Sequence, residues 1–248
     1  MIVLKSPAEI EKMRVSNRIV AEVLLKLDEL IVPGVTTAEL DRIAEEEILK
    51  RGAKPAFKGY MGYKHTLCTS RNEEVVHGIP SDVELREGDI VGIDCGVVKN
   101  DFYGDHAKTF AVGKISEEAS RLLRVTEEAL MAGIEQALSH NRLYDISAAV
   151  QQHAEAAGYT IVRDYVGHGI GRKLHEDPQL PNFGKAGTGI PLRPGLVLAI
   201  EPMINQGGCE TEVLEDDWTV VTKDRKLSAH FEHSVAITEN GPDILSKL

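Results

Sequence analysis

An α+β architecture of two similar halves is predicted by three observations. Helical periodicity followed by strand-like runs occurs twice in the same order, several positions correspond between the two passes, and most of those positions fall on or beside acidic or histidine residues. The longest correspondence sets Arg86-Glu87-Gly88-Asp89-Ile90-Val91-Gly92-Ile93-Asp94 against Arg193-Pro194-Gly195-Leu196-Val197-Leu198-Ala199-Ile200-Glu201, an offset of 107 residues, and each run ends in a carboxylate. Gly52 and Gly158 correspond at an offset of 106, His77-Gly78-Ile79 is echoed in His168-Gly169-Ile170, and Asp105-His106 in Glu232-His233. One domain over residues 1–248 is expected, its halves, about 1–113 and 114–248, facing each other across a single site.

Each element has a local cause. Ser6-Pro7-Ala8-Glu9 has the form of a capping box with proline in the first turn, and Ile10, Met13, Ile19, Val20, Val23, Leu24, Leu27 and Leu30 follow at near-helical spacing. The first helix is expected to end near Pro33-Gly34. Thr36 and Glu39 cap a second helix carrying Leu40, Ile43 and Ile48, with Gly52 placed to stop it in a left-handed turn. From Thr66 to Val112 the pattern changes to short β-branched runs broken by Gly, Pro and Asn, which predicts strands. Helix returns from Ser116 to about Leu138 and from Asp145 to Ala157, with Gly158 as its stop, and strands resume to the end. Lys185 to Pro194, rich in Gly and Pro, reads as a long loop.

Composition narrows the function. With 28 basic against 39 acidic residues the net charge is −11, which argues against phosphate-backbone binding and for a small or peptide substrate. Cys68, Cys95 and Cys209 are an odd number without close pairing, so neither a disulfide framework nor a thiolate zinc site is expected and the compartment should be reducing. The start, Met1-Ile2-Val3-Leu4-Lys5-Ser6-Pro7, turns charged too soon for a signal peptide or membrane span, which points to the cytoplasm.

The chemistry resides in acids placed where acids are costly. Asp94 ends the apolar run Ile90-Val91-Gly92-Ile93, and Asp105 follows Phe102-Tyr103-Gly104. A two-residue hairpin turn at Lys99-Asn100 would set Asp94 directly opposite Asp105. Opposed like charges in an apolar setting destabilise a sheet unless something cationic lies between them, and no basic residue occupies either run, so a divalent metal fits better than an arginine or lysine partner. Glu201 ends the strand-like run Leu198-Ala199-Ile200, and Glu232 sits in Phe231-Glu232-His233-Ser234-Val235-Ala236-Ile237. Singly, each of these two is as consistent with a solvated strand-end carboxylate as with a ligand. Four carboxylates in two repeated pairs with one imidazole suit two adjacent divalent ions, which bridging oxygens neutralise.

His168 in Gly167-His168-Gly169-Ile170-Gly171 is the imidazole candidate, and a glycine-flanked histidine can equally be a turn residue on irregular backbone. His77 before Gly78-Ile79-Pro80 and His175 before Glu176-Asp177-Pro178 can orient substrate or move a proton, or be solvated loop histidines. His65, His106 and His230 are expected at the surface or behind the ligands. There is no Gly-x-Ser-x-Gly elbow, phosphate-binding Gly-x-x-x-x-Gly-Lys-[Ser/Thr] loop or His-Glu-x-x-His helix, and Cys95 beside Asp94 would have a raised thiol pKa.

The ordered set Asp94, Asp105, His168, Glu201, Glu232 closely resembles the ligand set of the methionine aminopeptidases, which have the pita-bread fold. His77-Gly78-Ile79-Pro80, Ile93-Asp94, Gly104-Asp105, Gly167-His168-Gly169-Ile170-Gly171, His175-Glu176, Ile200-Glu201-Pro202-Met203 and Glu232-His233 carry the resemblance, which covers essentially the whole chain. His175 and Glu201 lie 26 positions apart, leaving no room for the helical insertion of the type II enzymes, and no N-terminal zinc-binding extension precedes the first helix, so the type I form is indicated.

The resemblance implies two divalent ions (cobalt, manganese, iron or zinc). Asp94 would chelate one, His168 and Glu201 the other, and Asp105 and Glu232 would bridge them. It implies a metal-bridged hydroxide as nucleophile, with His175 stabilising the developing oxyanion, Glu201 managing the proton and His77 contacting the scissile amide. Tyr60, Tyr63, Cys68 and Trp218 would line a methionine pocket. The implied partner is a nascent polypeptide with N-terminal methionine and a small second residue, met transiently at the ribosome by a monomer needing neither nucleic acid nor membrane. Leu174 stands where such enzymes commonly have phenylalanine, and His106 where a small residue is usual. Two rivals share the fold. Proline-directed peptidases usually carry an additional N-terminal domain, and non-catalytic paralogues that bind ribosome or nucleic acid typically lose ligands.

Overall fold

The computed structural model describes residues 2–248; Met1 lies outside them. In chain order the helices are α1 (Pro7–Asp28), α2 (Thr37–Lys50), α3 (Glu117–Glu135) and α4 (Leu143–Ala156). Between α2 and α3 lie β1 (Lys54–Pro55), a 3-10 turn (Tyr60–Gly62), β2 (Leu67–Arg71), β3 (Glu74–Val76), β4 (Ile90–Lys99) and β5 (Phe102–Ala111). After α4 come β6 (Thr160–Ile161), β7 (Gly167–Gly169), β8 (Glu176–Leu180), β9 (Val197–Ile200) and β10 (Met203–Asn205). The chain ends with β11 (Thr211–Val213), β12 (Val220–Thr222), β13 (Ser228–His230), β14 (His233–Thr238) and β15 (Gly241–Ile244). No helix among the described residues is long and apolar enough to cross a membrane.

The helix starts follow the caps. Ser6 and Glu9 bond reciprocally in a capping box ahead of α1, and the side chains of Thr36 and Ser116 accept the N–H groups of Glu39 and Ala119. The first helix stops at Asp28, several residues before Pro33, because Leu30 and Ile31 turn back to bond the Leu27 carbonyl. Its buried stripe, which includes Val20, Val23, Leu24 and Leu27, joins Leu40, Ala44 and Ile48 of α2 in covering Val91, Ile93, Cys95 and Val97 of β4. In the second half Leu122, Val125, Ala129, Leu130 and Ile134 of α3 and Ile146, Val150 and Ala154 of α4 cover Leu198 and Ile200 of β9 together with Val235 and Ile237 of β14. Each fully buried Val, Leu or Ile among these contributes about 1.5–3 kcal/mol, so the strand faces under the helices anchor the fold.

Two antiparallel sheets carry the site. In the first, β4 pairs with β5 along one edge and with β1 and β2 along the other; the second has the order β15-β14-β9-β7-β8. They meet where β5 passes the start of β14. The Ser234 hydroxyl donates to the Asp105 carbonyl at 2.8 Å, the Glu232 N–H donates to the Ala107 carbonyl at 2.9 Å, and the Thr109 hydroxyl donates to the His230 carbonyl at 2.8 Å. This seam sets an acid from each half side by side.

The β4–β5 register differs from the sequence expectation. Lys99 pairs with Phe102, so the turn is Asn100-Asp101; Asp94 lies opposite Ala107, and Asp105 opposite Gly96. Asn100 and Asp101 have φ of 52° and 64°, the left-handed pair that a two-residue hairpin turn requires and that Asn and Asp tolerate better than Lys. The shift is two residues, an even number, so Asp94 and Asp105 still share one face as diagonal neighbours.

Candidate metal centre

Asp94 and Asp105 project from β4 and β5 on a face they share with Cys68, which pairs with Asp94 from β2. His168 is in strand β7, not on irregular backbone as a glycine-flanked histidine suggests: it pairs with Ala199 of β9 and Gln179 of β8, with a register shift at Gly169. The flanking glycines are required by the neighbours. A Cβ on Gly167 would lie 2.4 Å from the Ala199 carbonyl oxygen, and one on Gly169 would lie 2.2 Å from that of Asp177. Glu201 follows β9 directly. Glu232 is not inside a strand as its apolar surroundings predict; it lies between β13 and β14, where the chain leaves one sheet for another and its N–H is held by β5.

These elements bring all five acid and histidine candidates to one cavity of about 190 Å³. Asp105, His168 and Glu232 each offer a ligand atom within 4.8 Å of the others. His168 Nε2 lies 3.4 Å from Glu201 Oε1 and 3.9 Å from Asp105 Oδ2. Asp94 stands outside the tightest three and lines the same cavity. Asp105 and Glu232 are 4 % and 2 % exposed, and Asp94 Oδ1, Asp105 Oδ1 and Glu232 Oε1 are buried oxygens without a hydrogen-bond partner among the described residues.

Electrostatics follow from that crowding. Burial, then repulsion from Asp94 and Glu201, raises Asp105 well above the usual carboxylate range, and burial followed by Asp105, Glu201 and Asp94 does the same to Glu232. Burial alone raises Glu201; burial raises Asp94 also, with His230 opposing. No lysine or arginine lines the cavity, so the neutralising cation anticipated from the sequence is not a side chain. Orphaned carboxylate oxygens converging with a single imidazole nitrogen fit a divalent metal of the oxygen-preferring or borderline kind.

The other predicted residues distribute as follows. Tyr60, Tyr63, Cys68 and Trp218 line the same cavity with His77 and His175. Burial raises the Cys68 and Cys95 thiols well above their ordinary value, Asp94 adding to both, which suits wall and core roles and not a thiolate nucleophile. His230 is buried behind the acids, its Nε2 3.6 Å from Glu201 Oε2. His106 stacks on His233 at 4.5 Å between ring centroids and bonds the Glu232 carbonyl through Nδ1. His65 lies aside, near Asp41 at 3.8 Å. Sequence reasoning missed Phe57 and Met61, which complete the cavity wall with Leu174. The only local signal was Gly59 and Gly62 bracketing Tyr60-Met61.

His77 is not a solvated loop residue. It follows β3 at φ 60°, lies edge-on to Tyr165 at 5.6 Å, and burial, then His230 and His175, pushes its pKa down to about 4. It is neutral through the physiological range. Because its folded pKa is below the unfolded value near 6.5, His77 carries no penalty above that pH, and destabilisation grows as pH falls from 6.5 toward 4. His77→Gln is expected to spare about 2 kcal/mol of the stability lost between pH 7 and pH 5, read by urea unfolding of metal-free protein. Equal pH slopes for variant and parent would refute the buried neutral imidazole.

The sequence profile of metallopeptidase family M24 matches residues 11–239. The chain belongs to metallopeptidase family M24. Within this family it is 57 % identical over 246 residues to a methionine aminopeptidase of Clostridium perfringens, covering 99 % of each chain. It is 50 % identical over 248 residues to methionine aminopeptidase 1 of Bacillus subtilis, covering 100 % of each. The crystal structure of a methionine aminopeptidase from Thermotoga maritima superposes with a TM-score of 0.98 at 48 % identity, with 100 % of both chains covered. A prolidase from Pyrococcus horikoshii shares the fold at a TM-score of 0.81 and 24 % identity, this chain covering 64 % of it. The expected pita-bread fold and metal-dependent aminopeptidase class are borne out. Membership of M24 implies a divalent metal.

Proposed function

We propose that this protein removes the N-terminal methionine from nascent polypeptides in the cytoplasm, favouring a small second residue, and works as a monomer that meets its substrate transiently at the ribosome. The observation that carries the reading is the set of buried, partnerless carboxylate oxygens in a cavity whose wall also carries His77, His175 and apolar, aromatic and thiol side chains. A volume of about 190 Å³ is below the roughly 300 Å³ typical of drug-sized ligand sites and suits a single side chain. Tyr60, Tyr63 and Trp218, with the Tyr63 and Trp218 rings 4.8 Å apart, offer aromatic edges and faces to a thioether.

Asp94, Asp105, His168, Glu201 and Glu232 would hold two divalent ions. Ions bound there would supply Lewis-acid polarisation and lower the pKa of water. Glu201, buried and next to His230, would take a proton and return it to the leaving nitrogen. His175, on the cavity wall, donates to the oxygen on which charge develops, and neutral His77 faces the scissile amide. Identity of 57 % and 50 % to the aminopeptidase relatives, against 24 % to the prolidase, favours methionine over proline-directed cleavage.

The test is hydrolysis of Met-Gly-Ser against an X-Pro dipeptide by protein loaded in turn with manganese, iron, cobalt or zinc. Release of methionine from the tripeptide is expected. Cleavage confined to the X-Pro substrate, or of neither, would overturn the assignment.

A further inference from the structure

One residue of the cavity wall makes a contact that a wall does not need. Tyr60 sits in a 3-10 turn where Gly59, Met61 and Gly62 have φ of 91°, 48° and 91°. Left-handed backbone at a non-glycine residue costs of order 1 kcal/mol or more and persists where the surroundings require that geometry. Here the turn carries the Tyr60 ring across to the other half of the molecule, where its hydroxyl lies 2.8 Å from His175 Nδ1 with ring centroids 5.3 Å apart. His175 in turn lies edge-on to His168, 4.2 Å between centroids.

We propose that Tyr60 is a positioning residue, its phenol donating to His175 Nδ1 and so fixing His175 as the tautomer that carries its proton on Nε2. The direction of the bond follows from the groups. A phenol is the stronger donor and an imidazole lone pair the stronger acceptor, so O–H to Nδ1 is favoured over the reverse. With Nδ1 occupied, Nε2–H is the donor His175 has to offer. A freely turning His175 would divide its population between tautomers and ring orientations, and only part of it would be competent. The inference deepens the aminopeptidase reading, which gives His175 the task of donating to substrate.

Tyr60→Phe keeps the ring and removes the hydroxyl, separating this role from packing. In zinc-loaded protein, ¹⁵N shifts of His175, assigned by the signal missing in His175→Asn, should report an Nε2–H imidazole in the parent and a mixture in Tyr60→Phe. On Met-Gly-Ser, Tyr60→Phe should lower kcat about 10- to 100-fold, the cost of losing an orienting partner, with KM changed much less. Tyr60→Ala, which removes the wall as well, should raise KM in addition. An Nδ1–H imidazole in the parent, or full kcat in Tyr60→Phe with methionine release intact, would overturn the proposal. If the parent releases no methionine the aminopeptidase reading fails, and the nitrogen shifts still decide whether Tyr60 sets the tautomer.

Discussion

Glu201→Gln is expected to lower kcat on Met-Gly-Ser by about 10²- to 10⁴-fold, the span of a lost general acid–base group, with KM little changed. The substitution is nearly isosteric. It keeps one carbonyl oxygen beside His168 Nε2, 3.4 Å away in the parent, so that a ligand to metal survives on that side. What the amide loses is the capacity to accept a proton and deliver it to a leaving nitrogen. Asp105 and Glu232 are proposed as metal ligands, and His230, whose Nε2 is 3.6 Å from Glu201 Oε2, is buried behind it. Steady-state kinetics should be paired with elemental analysis of the same preparation. A fall in kcat at preserved metal content supports the proton role, whereas loss of both would make Glu201 a ligand alone, and a kcat within tenfold of the parent would remove it from the chemistry.

The residues that could be read from the sequence were those that break a rule. An acid at the end of Ile90-Val91-Gly92-Ile93, and another after Leu198-Ala199-Ile200, violates the expectation that buried strands are apolar, and four such violations in repeated pairs leave few structural explanations. Helix limits were legible to within a few residues because capping is local: Ser6, Thr36 and Ser116 each act on a neighbour three positions away. Features set by distant partners were less so. The β4–β5 register depends on whether Lys99-Asn100 or Asn100-Asp101 takes the left-handed positions, and both dipeptides contain the turn-favouring Asn. Glu232 leaves its strand because β5 captures its N–H from the other half, information absent from Phe231-Glu232-His233 itself. Phe57 and Met61 are apolar residues in an irregular segment, and apolar residues end up in core, cavity wall or surface with no local mark to tell these apart. Gly167 and Gly169 look like loop formers and are in fact strand residues whose side chains would collide with two carbonyls.

Asp105→Asn combined with Glu232→Gln is expected to abolish methionine release while making the metal-free protein more stable than its metal-free parent. Both carboxyls are buried beside Asp94 and Glu201, and burial followed by mutual repulsion raises both well above the ordinary range, which means that the metal-free fold disfavours their charged forms. Amides of the same shape carry no charge to desolvate. The parent recovers that cost only by binding cation: at a free ion concentration 100-fold above its dissociation constant, one site adds about 2.7 kcal/mol. For a chain of this length that corresponds to a rise in Tm of roughly 5–10 °C. The double variant should show no comparable rise with manganese, and treating the loaded parent with a chelator should return its Tm to the metal-free value together with loss of activity. Thermal unfolding of parent and variant, each with and without manganese, contains the whole argument. A metal-free variant less stable than the metal-free parent would mean that the acids hold the fold together through protein partners; a parent whose Tm ignores manganese would mean that no cation resides among them.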